Sequence, residues 1–238
     1  MGFHNSRVRF VPVAVVAALL VAGCEKGEKL TVAPAAVLPE GWTLVASSAD
    51  GVSVGVPSGW RQGVPKMFDL PSLDGGDSSQ NPEVQQMMEQ FEKTDQQEEA
   101  NSLERLRSKG ILCHCINGSK PIVGETPTRF YISVEKPGGA LSLKSAVALE
   151  KRKIMGAGDG TPVQLANGNG WRLASTSKTR GGDDFTKIVY ILVHEDRKYT
   201  LRFTSTNDPV SIEGIEKAVA ETWRIDPLKS PAFAQNVD

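Results

Sequence analysis

Histidine and cysteine, the side chains behind most metal and nucleophile sites, occur only three times each in 238 residues. Three cysteines exclude a disulfide-dense scaffold. Neither sign of charge dominates, with 27 Lys and Arg against 28 Asp and Glu, which leaves no electrostatic footprint for nucleic acid. No apolar run reaches the about 20 residues that cross a bilayer, and no internal repeat marks a solenoid or propeller. What remains is 39% hydrophobic and 23% charged. That mixture, at this length, suits one sizeable globular domain.

The most specific stretch lies near the start. Ahead of Cys24 the chain carries His4, Arg7 and Arg9 and no acid, then an apolar run over 10–22 broken only by Pro12. A basic start followed by a short apolar core has the build of an export signal. The run ends Val21-Ala22-Gly23-Cys24, and charge begins at Glu25. This order resembles the lipobox of bacterial lipoproteins. The resemblance implies signal cleavage between Gly23 and Cys24, a diacylglyceryl group on the Cys24 thiol, and acylation of the new amino terminus. Two or more lipid signals anchor a protein stably where one binds reversibly. The partner so implied is a membrane, met on its extracytoplasmic side in a bacterial cell envelope. Glu25 is not the aspartate that retains enteric lipoproteins at the inner membrane, and the choice of membrane stays open. The alternatives are an ordinary signal peptide with a chance cysteine, or a buried amino-terminal helix. Removal of Arg7 and Arg9 with the leader takes the formal charge from −1 to −3.

After a signal over 1–23, residues 24–41 are charged, then small and punctuated by proline, which suits a tether. The folded body is expected from Trp42. Residues 42–60 hold two β-rich runs separated by Asp50-Gly51, a hairpin signal, with Val52, Val54 and Val56 alternating as in a half-buried strand. A loop rich in Gly, Ser, Asp and Pro follows over 61–81. Asn81-Pro82-Glu83 then opens a long helix whose apolar stripe starts at Val84, Met87, Met88 and Phe91, turns polar, and returns at Leu103 and Leu106 before Gly110. Its methionine pair reads as core packing or as an adaptable surface. Strands are expected over 110–118 and 128–136, then a helix capped by Ser142 that ends in Lys151-Arg152-Lys153. Those cations suit the helix dipole, or anionic lipid headgroups. From residue 161 the pattern is β, read as three strands, the last two a long hairpin about Glu195-Asp196-Arg197. A closing helix has Ile212, Ile215 and Val219 as its stripe, and 227–238 reads as a flexible tail. Trp42, Trp60, Trp171 and Trp223 are candidate core aromatics. Strands joined by hairpins with helices between groups predict an α+β domain, an antiparallel sheet flanked by helices.

"DGVSVGVPSGWRQ" resembles the opening hairpin of PsbP-like domains, which share a fold with DcrB-like bacterial lipoproteins. "KIVYILVHEDRKYTLRFTSTND", with the closing helix and "TWRID", resembles the carboxy-terminal half of that fold. The likeness covers about 42–226. It implies a central antiparallel sheet sandwiched by helices in one domain, and it implies no activity, since fold does not set function.

Chemistry is sparse. In Cys113-His114-Cys115 the two thiols share one strand face and the imidazole the other, which reads as buried core, as the start of a metal site, or as redox chemistry. A bridge between two same-face strand neighbours is not expected, because their Cβ atoms run parallel. "GNG" and "GDG" lack phosphate-loop spacing, Ser58 lacks the flanks of a nucleophile elbow, and Asp183-Asp184 reads as a solvated turn. No catalytic, cofactor-binding or metal residues are assigned, and no cofactor is expected. Two functions remain: a membrane-tethered, non-catalytic protein that binds or scaffolds an envelope protein, or a carrier of a small ligand or metal ion. An enzyme is the least favoured reading.

Overall fold

The structure is a computed structural model that describes residues 29–47, 49–63, 101–102, 104–117, 128–154, 156–179, 181–206 and 209–229. The Asp50-Gly51 turn joins β1 (Thr43–Ser47) to β2 (Val52–Val56) in antiparallel register. Gly51 takes the left-handed φ of 66°, where a β-carbon is costly. Val52, Val54 and Val56 are all buried, the alternation a one-sided strand imposes. Trp60 then opens β3 (Trp60–Gln62) and sets its ring 5.5 Å from that of Phe130.

Helical residues 104–108 stop at Gly110, whose φ is 76° and whose Cβ, if present, would lie 2.3 Å from the Val134 carbonyl oxygen. Only glycine fits there. The chain continues into β4 (Ile111–Asn117) and β5 (Arg129–Glu135). Ser142 then caps α1 (Leu143–Lys153), accepting from the Ser145 amide at 3.2 Å. Four strands follow: β6 (Thr161–Leu165), β7 (Gly168–Lys178), β8 (Asp184–His194) and β9 (Arg197–Thr206). The helix α2 (Pro209–Thr222) leads into the short β10 (Arg224–Ile225).

Among the described residues seven strands make one antiparallel sheet in the order β3-β4-β5-β9-β8-β7-β6, while β1, β2 and β10 form a second, smaller sheet. Alternation along β8 divides the core. Ile188, Tyr190 and Leu192 join Phe130, Leu201, Phe203 and the α2 residues Ile212, Val219 and Ala220 in one cluster. Val189, Ile191 and Val193 join Leu173 and the α1 residues Ala146 and Val147 in the other. Because neighbouring strand residues face opposite sides, α1 and α2 cover opposite faces. The domain is α+β, an antiparallel sheet with a helix on each side. A polar contact pins α2: buried Glu216 accepts from the Tyr190 hydroxyl and, at 2.8 Å, from Arg172 Nη2.

Three expectations are corrected and one is refined. The run from 161 holds four strands in all, because Ala166-Asn167 makes a two-residue turn between Leu165 and Gly168. The first hairpin belongs to its own sheet, completed by β10. All four tryptophans belong to or pack against the core clusters, as expected, but only Trp223 is fully buried, at 1% exposure, and the other three are half-buried. Finally, 29–41 is not a free tether, since Leu30 is buried in the core cluster and Leu38 packs on Gly55. The signal over 1–23, Gly23, Cys24, the helix start at Asn81 and most of the tail lie outside the described residues.

Candidate functional site

The triplet on β4 sits as strand alternation requires. Cys113 and Cys115 are buried in the core with Phe130 and Ile132, and His114 points to the other face beside Tyr131, ring to ring 6.1 Å. The two sulfurs are 3.6 Å apart and share a hydrogen bond, and both cysteines are free. That contact and burial push the Cys115 thiol well above its ordinary value. Since the thiolate is the reactive form, native protein should react with a chromogenic thiol reagent far more slowly than denatured protein. Rapid release of chromophore by the folded protein would contradict the buried-core reading.

His114 Nδ1 bonds the Gly63 carbonyl. Burial holds its imidazole below the ordinary histidine value, the Gly63 bond opposing and Arg129 assisting. Above about pH 6.5 neither folded nor unfolded chain holds this proton, so the contribution is level there. As pH falls below that value the unfolded chain takes up the proton first, and stability drops until the lowered folded value is passed. Urea midpoints should therefore fall as the pH drops below about 6.5, and His114→Gln should flatten that part of the profile. An unchanged profile in the variant would place the pH dependence elsewhere.

Where β4 meets the 104–108 helix a cavity of about 380 Å³ opens, its lining including Gln62, Glu104, Arg107, His114 and Cys113. The lining residues combine one acidic and one basic type with the apolar Leu106, Ile111 and Leu112. The two sulfurs bond each other, and His114 is engaged by backbone. Among the described residues no group of three or more His, Cys, Asp and Glu is placed to hold a metal ion.

A second constellation was not read from the sequence. Asn167, at 1% exposure, donates through Nδ2 to the Thr31 carbonyl at 2.8 Å and to the Ile225 carbonyl at 2.6 Å, and accepts the Ile225 N–H at 2.8 Å. His194, the other histidine expected after signal removal, accepts the Leu30 N–H at Nδ1 (3.1 Å) and meets the Pro227 carbonyl at Nε2 (3.3 Å). Two hairpin turns at one end of the sheet thus clasp both the entering and the leaving chain.

The third is a buried charge cluster over β5, β9 and α1. Glu150, at 0% exposure, accepts from Lys198 Nζ at 2.7 Å and from Arg202. Lys198 also reaches Glu135 at 3.0 Å, and Arg202 donates to the Tyr131 hydroxyl at 2.7 Å. Of the three basic residues ending α1, Lys153 pairs with Glu135 and Lys151 with Asp159. Asp184 pairs with Lys178 beside the β7–β8 turn.

No protein-family model matches this chain, and no curated protein matches it. Among solved structures it is similar to a crystal structure from Bacteroides thetaiotaomicron, at 15% identity and TM-score 0.42, over 77% of this chain and 48% of that one. The chain spans about half the length of that protein. It is similar to LpqN, involved in cell envelope biogenesis of Mycobacterium tuberculosis, at 13% identity and TM-score 0.44, over 78% of this chain and 91% of that one. It is also similar to the cyanobacterial PsbP of Synechocystis, at 8% identity and TM-score 0.32, over 80% of this chain and 95% of that one.

Proposed function

We propose that this chain is a lipoprotein of the bacterial cell envelope, anchored through Cys24 on the extracytoplasmic side of a membrane. Its α+β body then binds or scaffolds another envelope protein rather than catalysing a reaction. The observation that carries the reading is the order of charge and apolarity at the amino terminus: Arg7 and Arg9, a short apolar run, then Val21-Ala22-Gly23-Cys24. The run is shorter than a bilayer crossing requires, and only the thiol can take the diacylglyceryl group. Among the described residues no helix is long and apolar enough to cross a membrane.

Cys24→Ser should shift the protein from the membrane fraction to the soluble fraction, or leave it as unprocessed precursor. A variant that is processed and fractionates like the parent would remove the anchor from the account. One observation favours a second reading, carriage of a small ligand: the cavity whose lining includes Gln62, Glu104, Arg107 and His114. Convergent polar groups over an apolar wall are what a binding pocket needs. Mass spectrometry of gently isolated protein separates the two readings, since a carrier retains a small molecule and a scaffold retains a protein.

A further inference from the structure

The clasp at Asn167 and His194 sets how far an anchored body can stand from its membrane. Among the described residues Leu30 is the first locked to the body: its N–H bonds His194 at 3.1 Å, its side chain is buried, and the next residue bonds Asn167 through both backbone groups, at 3.0 and 2.8 Å. From there the segment runs away from that end of the sheet, with the Pro34 carbonyl accepting from Arg224 at 2.8 Å and Leu38 meeting Gly55. A fully extended chain covers about 3.3–3.6 Å per residue, so Cys24 and Leu30 are separated by at most about 22 Å. Were 24–41 a free tether, as its composition suggests, the reach to Trp42 would be about 60 Å.

We propose that the end of the sheet carrying the Ala166-Asn167 and Glu195-Asp196 turns faces the lipid bilayer. This rests on anchoring at Cys24. The opposite end, at the turn between β7 and β8, is then the outward end. Ten residue steps separate Asp184 from His194 along β8, about 33 Å at strand rise. That length exceeds the reach of the link, so the clasped end stays near the lipid while the far end is held out, available to a partner. Lys29, exposed just ahead of the lock, adds a cation on the membrane side.

The test uses the lipid-modified full protein in vesicles whose headgroups carry a paramagnetic quencher. A fluorophore is attached at Glu195→Cys in one sample and at Lys178→Cys in another, both exposed positions. The expected result is quenching several-fold stronger at position 195 than at 178. A flexible insert of roughly 20 Gly and Ser residues between Glu28 and Lys29 adds an r.m.s. reach of about 25 Å and should shrink the difference, without touching the folded body. Vesicle-bound protein with equal or reversed quenching would overturn the orientation and leave the anchor standing. Protein that does not bind vesicles at all would overturn both.

Discussion

Glu150→Ala should lower the unfolding free energy by about 3–5 kcal/mol, because it takes the shared carboxylate from two cations held away from bulk water. Lys198 is 1% exposed and Arg202 16%, and Glu150 receives both. Alanine removes the carboxylate and leaves Lys198 with Glu135, which it shares with Lys153, and Arg202 with the Tyr131 hydroxyl. A buried cation that loses its main counter-charge costs more than a pair removed whole. The same physics gives a second arm: replacing the three together, Glu150→Leu with Lys198→Met and Arg202→Met, should cost much less than the single change, since well-packed apolar side chains can substitute for a buried ion cluster. Urea midpoints of the three proteins decide it. A single variant as stable as the parent would mean that the cluster is hydrated and weak.

Asn167→Ala should cost about 2–4 kcal/mol, the sum of a few backbone groups left without partners. The amide serves the Thr31 carbonyl and both backbone groups of Ile225, so its loss loosens the incoming segment and β10 together. Asn167→Asp sharpens the argument. The carboxylate keeps the acceptor for the Ile225 N–H but points the second oxygen at two carbonyls, where the amide donated. It should be at least as damaging as alanine, although it is nearly the same shape. Hydrogen exchange at Thr31 and Ile225 should rise in both variants before the seven-stranded sheet is affected. Exchange that rises evenly across the sheet would contradict a local clasp.

Where the determining interactions are local, the sequence was legible. Ser142 caps its helix three residues from its partner amide, Gly110 ends one where a side chain would strike Val134, and the valines of β2 alternate because one side of the strand is dry. The faces of Cys113, His114 and Cys115 followed from the same alternation. Distance defeated the rest. Nothing local sets Leu30 apart from Val32, which stays exposed, and its lock depends on His194 and Asn167, 164 and 136 positions away for the bonds that hold 30 and 31. "NGNG" signals a turn without saying that its first asparagine reaches two other segments. Glu150, Lys198 and Arg202 each suit a solvated surface when read alone; the sheet brings them under one helix. The cavity likewise needs β4 and the 104–108 helix side by side.

The central claim is the lipid on Cys24, and the mass of the mature amino-terminal peptide tests it most directly. Protein taken from the membrane fraction and digested should yield a peptide that begins at Cys24, lacks everything up to Gly23, and carries the added mass of a diacylglyceryl group with or without an amide-linked acyl chain. A peptide that begins at Cys24 or beyond with an unmodified thiol, or one that retains the apolar run, would contradict the account.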